Sequence, residues 1–127
     1  MVAGLFAETG RTILLSGLGL IEIQSAFAVK VRSGTLTQDA AQMMRAKFVL
    51  CVAAGEIEVY SVTRDHFHVA ERLIGRHAFA ERLRTLDALQ LAVALDLQDQ
   101  GKITTFVVSD AVLSRVASLE GLKVIVA

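Results

Sequence analysis

Three acids in this chain, Glu22, Asp87 and Asp110, stand where carboxylates can do chemistry as well as solvate a surface. Glu22 falls in the first turn of a helix expected after the apolar run Thr12–Leu15. Asp87 lies two residues past Thr85, a residue suited to cap a helix, and has Leu86 and Ala88 on either side. Asp110 directly follows the apolar run Ile103–Val108. Taken singly, each has an ordinary explanation, because acids cap helices and complement the dipole of the first turn. Their joint placement says more. In open parallel sheets the functional crevice lies beyond the carboxyl ends of the strands, where the following helices begin. Carboxylates gathered there repel one another unless a cation neutralises them. An all-oxygen donor set suits Mg²⁺ or Mn²⁺ rather than zinc.

The elements that must position these acids alternate along the chain. Val2–Thr9 has a helix-like composition closed by Gly10, and Thr12–Leu15 reads as a short strand. From Leu20 to Arg32 apolar residues recur at Ile23, Phe27 and Val31, which is helical spacing. Thr37 can cap a second helix whose apolar face takes Ala40, Met44, Phe48 and Cys51. Glu56–Tyr60 is a strand, and Thr63 caps a helix through Phe67, Ala70 and Ile74. The clearest helix follows Thr85, with Leu86, Leu89, Ala92, Val93 and Leu97 on one face. Gly101 and Lys102 turn the chain into Ile103–Val108, Ser109 and Asp110 open a last helix, and Lys123–Val126 is a final strand. Continuously apolar strands separated by helices predict an α/β fold of three layers, α/β/α, around a parallel sheet.

Composition bounds the function. The 127 residues fit one domain, and 54% of them are apolar. No run reaches the length of a membrane span: the longest uncharged stretch, Thr12 to Ile21, ends at Glu22. Net charge is zero, so any contact with phosphate must come from a local patch. The cluster Arg72, Arg76, Arg82 and Arg84 is either a solvated face or a receiver of RNA phosphates or of an acidic protein segment. Cys51, the single cysteine, is expected to be a buried core residue and suits a reducing cytoplasm. Ala26-Phe27-Ala28 mimics a signal-peptidase site, but Glu8 and Glu22 break the required pattern, so no cleaved signal is expected. Gly17-Leu18-Gly19 begins a dinucleotide fingerprint and fails it, because Glu22 holds the third glycine position. His66 and His68, two apart on a helix, do not face one another and are expected on the surface, while His77 has no evident partner.

Leu86-Asp87-Ala88-Leu89-Gln90-Leu91-Ala92 resembles the "LDALHLA" helix of PIN domains, with Gln where His is common. Thr105-Phe106-Val107-Val108-Ser109-Asp110, followed by Glu120-Gly121-Leu122-Lys123-Val124, resembles their "TFVTAD…AEGLPV" ending. Ser16 to Ser33 resembles the "TSxLTxVEVxSALxRxVR" segment and sets Glu22 on its Glu. The likeness runs from about Phe6 to the C-terminus and points to a VapC-type toxin ribonuclease of a toxin–antitoxin pair.

The resemblance implies a single PIN-like domain over residues 1–127 that is N-terminally truncated relative to the family. PIN domains open on a central strand, typically "LDTSALVKLF", whose Asp is a principal metal ligand. Here Ala3 to Gly10 resembles the "LVKLFAEEPG" stretch that follows it, and Glu8 lies too far along to take the role of that Asp. The resemblance also implies Mg²⁺- or Mn²⁺-dependent hydrolysis of RNA with Glu22, Asp87 and Asp110 as metal ligands and catalytic residues, and with Ser25 or Ser109 orienting ligands or water. It implies an antitoxin partner, a homodimer and a cytoplasmic location. Loss of one carboxylate predicts weak activity in this form, and the competing expectation is a PIN-like interaction module that binds an antitoxin or itself without cutting RNA. Without the family's strand, Thr12–Leu15 and Ile103–Val108 are expected to close against each other or to admit a partner's strand. A receiver domain is disfavoured, because it needs adjacent acids on the first strand and a central phosphoacceptor Asp, and the chain has neither.

Overall fold

The computed structural model describes residues 5–7 and 13–126, with side chains from residue 13 onward. Ten elements follow in the order β1 (Leu5–Ala7), β2 (Ile13–Ser16), α1 (Gly17–Arg32), α2 (Gln38–Ala53), β3 (Ile57–Tyr60), α3 (Arg64–His77), α4 (Thr85–Asp99), β4 (Thr105–Val108), α5 (Ala111–Leu119) and β5 (Val124–Val126). The fold is mixed α/β.

One sheet joins all the described strands in the order β3-β2-β1-β4-β5. β2 pairs with β3, and β4 with β5, in parallel. β1 is antiparallel to both of its neighbours, Leu5 lying opposite Leu15 and Val107, and Ala7 opposite Ile13 and Thr105. This corrects two expectations. The helix expected over Val2–Thr9 is, over residues 5–7, a strand, and the sheet is mixed rather than parallel. β2 and β4 neither close on each other nor stand apart, because the chain's own β1 fills the gap. The physical reason is local. A helix of a few residues cannot repay its nucleation, whereas a short strand between two open ladder edges satisfies its backbone on both sides.

The inner strands β2 and β4 are buried because their sequences are apolar on both faces, whereas β3 and β5 at the edges are partly exposed. In β2, Leu14 and Leu15 are buried together with Ser16, and in β4 so are Phe106 and Val108. α4 is apolar nearly all round its circumference, and its residues from Asp87 to Ala94 are all buried. It forms the centre of the core, packed with Leu14, Ala70, Leu73, Phe106, Val108, Leu113 and Val116. α4 ends where Gly101 adopts φ +73°, with the N–H of Lys102 bonded to the Leu97 carbonyl and that of Gly101 to Gln98. That left-handed turn favours glycine and swings the chain into β4. α1 and α2 are different. Each buries a single residue, Gly19 and Ala41 respectively, and Cys51 on α2 is half-buried rather than in the core. Among the described residues no helix is long and apolar enough to cross a membrane.

Candidate functional site

The structure brings the three predicted acids to one place. Glu22, Asp87 and Asp110 line a single open cleft of about 770 Å³, together with Arg84, Thr85, Leu86 and Ser109. It lies at the carboxyl ends of β2 and β4, where Ser16 leads into α1 and Val108 into α5. Ser109 belongs to the lining and Ser25 does not.

Each acid reaches the cleft by a different local device. Ser16, fully buried at the end of β2, caps α1 by accepting the Gly19 N–H at 3.0 Å. The helix therefore starts earlier than the spacing suggested, and Glu22 sits in its second turn rather than its first. The cap of α4 is Arg84 rather than Thr85, so Asp87 is the third helical residue. Its carboxylate reaches back to the Arg84 backbone N–H, and the Arg84 Nε lies 3.6 Å from Asp87 Oδ2. Asp110 caps α5, its Oδ1 accepting the N–H groups of Val112 at 2.8 Å and Leu113 at 3.0 Å. With Oδ1 held by the helix, Oδ2 is the oxygen that can serve a ligand.

The electrostatics couple the three. Burial pushes the Asp87 carboxyl above its ordinary range; the Arg84 N–H works against that shift, and the charge of Asp110 adds to it. Burial also raises Glu22, with the Gln90 amide pulling the other way and Asp87 pushing it further up. Among the described residues Arg84 is the one cation in the lining. The donor set is oxygen only and fits a hard divalent cation. Among the described residues, however, no three His, Cys, Asp or Glu side chains already gather as a metal-holding group. The central strand contributes nothing here, since Leu5, Phe6 and Ala7 include no acid. Ala7, paired with Ile13 and Thr105, lies at the opposite end of the sheet from Ser16 and Val108, and Glu8 lies outside the described residues.

Other expectations were revised. His66 is buried, not on the surface: its Nδ1 accepts the Thr63 N–H at 2.9 Å, which makes Nε2 the protonated nitrogen that donates to Asp96 Oδ2 at 2.7 Å. His68 is exposed, as expected. His77 has a partner, Glu120, at 2.6 Å. The arginine cluster divides: Arg84 faces the cleft, Arg76 binds Glu120, and Arg82 is exposed. Sequence reasoning missed Gln90, which is fully buried near Glu22. The signal for it was a polar residue amid Leu89, Leu91 and Ala92. Compared with known protein families and with curated proteins, the chain gives no match.

Proposed function

We propose that this protein is a PIN-type, metal-dependent endoribonuclease of the kind that serves as the toxin of a toxin–antitoxin pair, with a three-layer PIN-like arrangement and low activity in the form of residues 1–127. The observation that carries the proposal is the meeting of Glu22, Asp87 and Asp110, from three separate elements, in one cleft at the carboxyl end of the sheet. The PIN-like segments around these same residues support it.

Mg²⁺ or Mn²⁺, when bound, supplies activation of a water and neutralisation of charge on the phosphate. The chain's own contribution begins with the oxygens of Glu22, Asp87 and Asp110, whose mutual repulsion a cation would relieve. The α5 cap fixes Asp110 so that one oxygen is committed to the helix. Arg84, three-quarters exposed at its side chain, can meet an RNA phosphate at the cleft mouth. The site as described offers three carboxylates, and no fourth comes from β1, which argues for weak cation affinity.

A second reading, an interaction module without nuclease activity, is favoured by the apolar residues that α1 and α2 expose. Ile21, Val29, Met43, Met44, Val49 and Leu50 are uncovered on these two helices, a surface suited to an antitoxin or to a second copy of the chain in the cytoplasm.

RNA cleavage in Mn²⁺ separates the readings. Residues 1–127 are expected to cleave little or not at all. A form given the strand Leu-Asp-Thr-Ser-Ala-Leu ahead of them is expected to cleave, with the added strand taking the place of β1. In that form Asp87→Asn should lower cleavage by at least about 100-fold, since even outer-shell partners of a metal are worth roughly 10–100-fold. Full activity of the Asn variant would overturn the mechanism, and an inactive extended form that binds a protein partner would favour the second reading.

A further inference from the structure

Gln90 is the one buried polar side chain among the described residues whose atoms find no hydrogen-bond partner: both its Nε2 and its Oε1 are sealed from solvent and unpaired. It is fully buried on the face of α4 that carries Asp87 one turn earlier, and its flanking residues Leu89 and Leu91 are core. A leucine there would cost nothing, whereas an unpaired buried amide is expensive and calls for an explanation. The polar group it approaches is the Glu22 carboxylate on α1, near enough for the Gln90 amide to pull the Glu22 carboxyl down against the effect of burial, although no hydrogen bond closes between them.

We propose that Gln90 is a positioning residue for Glu22: its Nε2 donates to one carboxylate oxygen from beneath the cleft and leaves the other oxygen to face a bound cation. A carboxylate only accepts, so the amide nitrogen must be the donor. With one Nε2–H engaged, the amide's cost falls to its second N–H and its carbonyl oxygen, the latter being the better tolerated of the two when buried. The arrangement supports a ligand from behind with an outer partner that sets its orientation. It rests on the cation-binding reading of the cleft, but the pairing of Gln90 with Glu22 can be tested apart from that reading.

The test uses Gln90→Leu, Gln90→His and Glu22→Ala in the full chain. Gln90→Leu should melt at or above the wild-type temperature, because it replaces a buried amide that is at best partly paired with an apolar side chain of similar size, and yet bind Mn²⁺ about 10–100-fold more weakly. Gln90→His, whose imidazole N–H can replace the donor, should recover most of that loss. In the metal-free wild type, the side-chain amide signals of Gln90 (identified by their absence in Gln90→Leu) should be protected from exchange and should shift when Glu22 becomes Ala. Mn²⁺ affinity unchanged in Gln90→Leu would overturn the proposal, as would Gln90 signals indifferent to Glu22→Ala. If the wild type does not bind Mn²⁺ while the Gln90 signals do respond, the metal reading falls and the pairing stands.

Discussion

Two clusters of charge sit near opposite ends of α4 and are built on opposite terms. On one side, His66 bridges the Thr63 N–H and Asp96, while His77 and Arg76 converge on Glu120 with contacts of 2.6 and 2.7 Å. Every acid there has its donors. The bond from Gln100 leads in holding Asp96 below the ordinary carboxylate range, against the effect of burial and with help from His66. Burial alone would raise Glu120, but the bonds from His77 and Arg76 outweigh it and bring it down. In the other cluster, Glu22 and Asp87 are pushed up, first by burial and then by neighbouring negative charge. The first cluster ties α3 to α4 and α5 and stabilises the fold. The second costs stability, and groups held at such a cost mark a functional site more often than a structural one.

The sharpest way to break the comparison is to remove the centre of the stabilising cluster. His66→Ala loses both hydrogen bonds and leaves a hole against α4, so stability should fall by about 2–4 kcal/mol. Urea denaturation at neutral pH measures it. A loss below about 1 kcal/mol would mean that the pairing with Asp96 is incidental. Glu120→Ala strands His77 in a half-buried position and frees Arg76, for an expected loss of about 1–3 kcal/mol. Acid should act in the same direction. Asp96 and Glu120 are depressed in the folded state, so their contribution is present above the unfolded-state pKa and lost as pH falls through the folded one.

Cation binding gives the next effect, of about 1.4 kcal/mol at a concentration tenfold above the dissociation constant. Mn²⁺ should raise the melting temperature of the wild type and leave that of Asp87→Asn unmoved. An equal rise in both would place the cation outside the acidic cleft.

The sequence makes one of these clusters legible and hides the other. Glu22, Asp87 and Asp110 stand out because each follows a strand or opens a helix, and the sheet's topology then carries them to one end. Thr37 and Thr63 cap helices as their types suggest. The His pairs were invisible, because Asp96 and Glu120 lie 30 and 43 positions from their histidines and only the packing of α3 beside α4 and the end of α5 brings them together. β1 was misjudged for a similar reason. Leu5-Phe6-Ala7 has no strong preference of its own, and its conformation is decided by two ladder edges formed far along the chain. Helix starts shifted where a residue outside the apolar pattern took the N-cap position: Ser16, whose hydroxyl accepts the Gly19 N–H at α1, and Arg84, which makes no side-chain cap at α4.

The smallest effect is also the one that reverses sign between the two clusters. Asp87→Asn keeps the shape of the side chain and an oxygen able to accept the Arg84 N–H, so it removes charge and little else. A carboxyl raised in the folded state contributes stability that is fully present below the unfolded-state pKa, about 3.9 for Asp, and lost as pH rises through the folded value. At pH 7 that contribution is gone and the buried charge is a cost. The Asn variant escapes the cost and should be slightly more stable than wild type in the absence of metal. At pH 3, where wild-type Asp87 is protonated, the advantage should vanish. Glu120→Gln, measured in parallel, should be destabilising at pH 7 and converge on wild type at pH 3, since its depressed acid is stabilising only while charged. Urea titrations of both variants at both pH values give four numbers. If Asp87→Asn proved destabilising at pH 7, the cleft would belong with the His pairs as a device that holds the fold together, and the case for a ligand site there would fail.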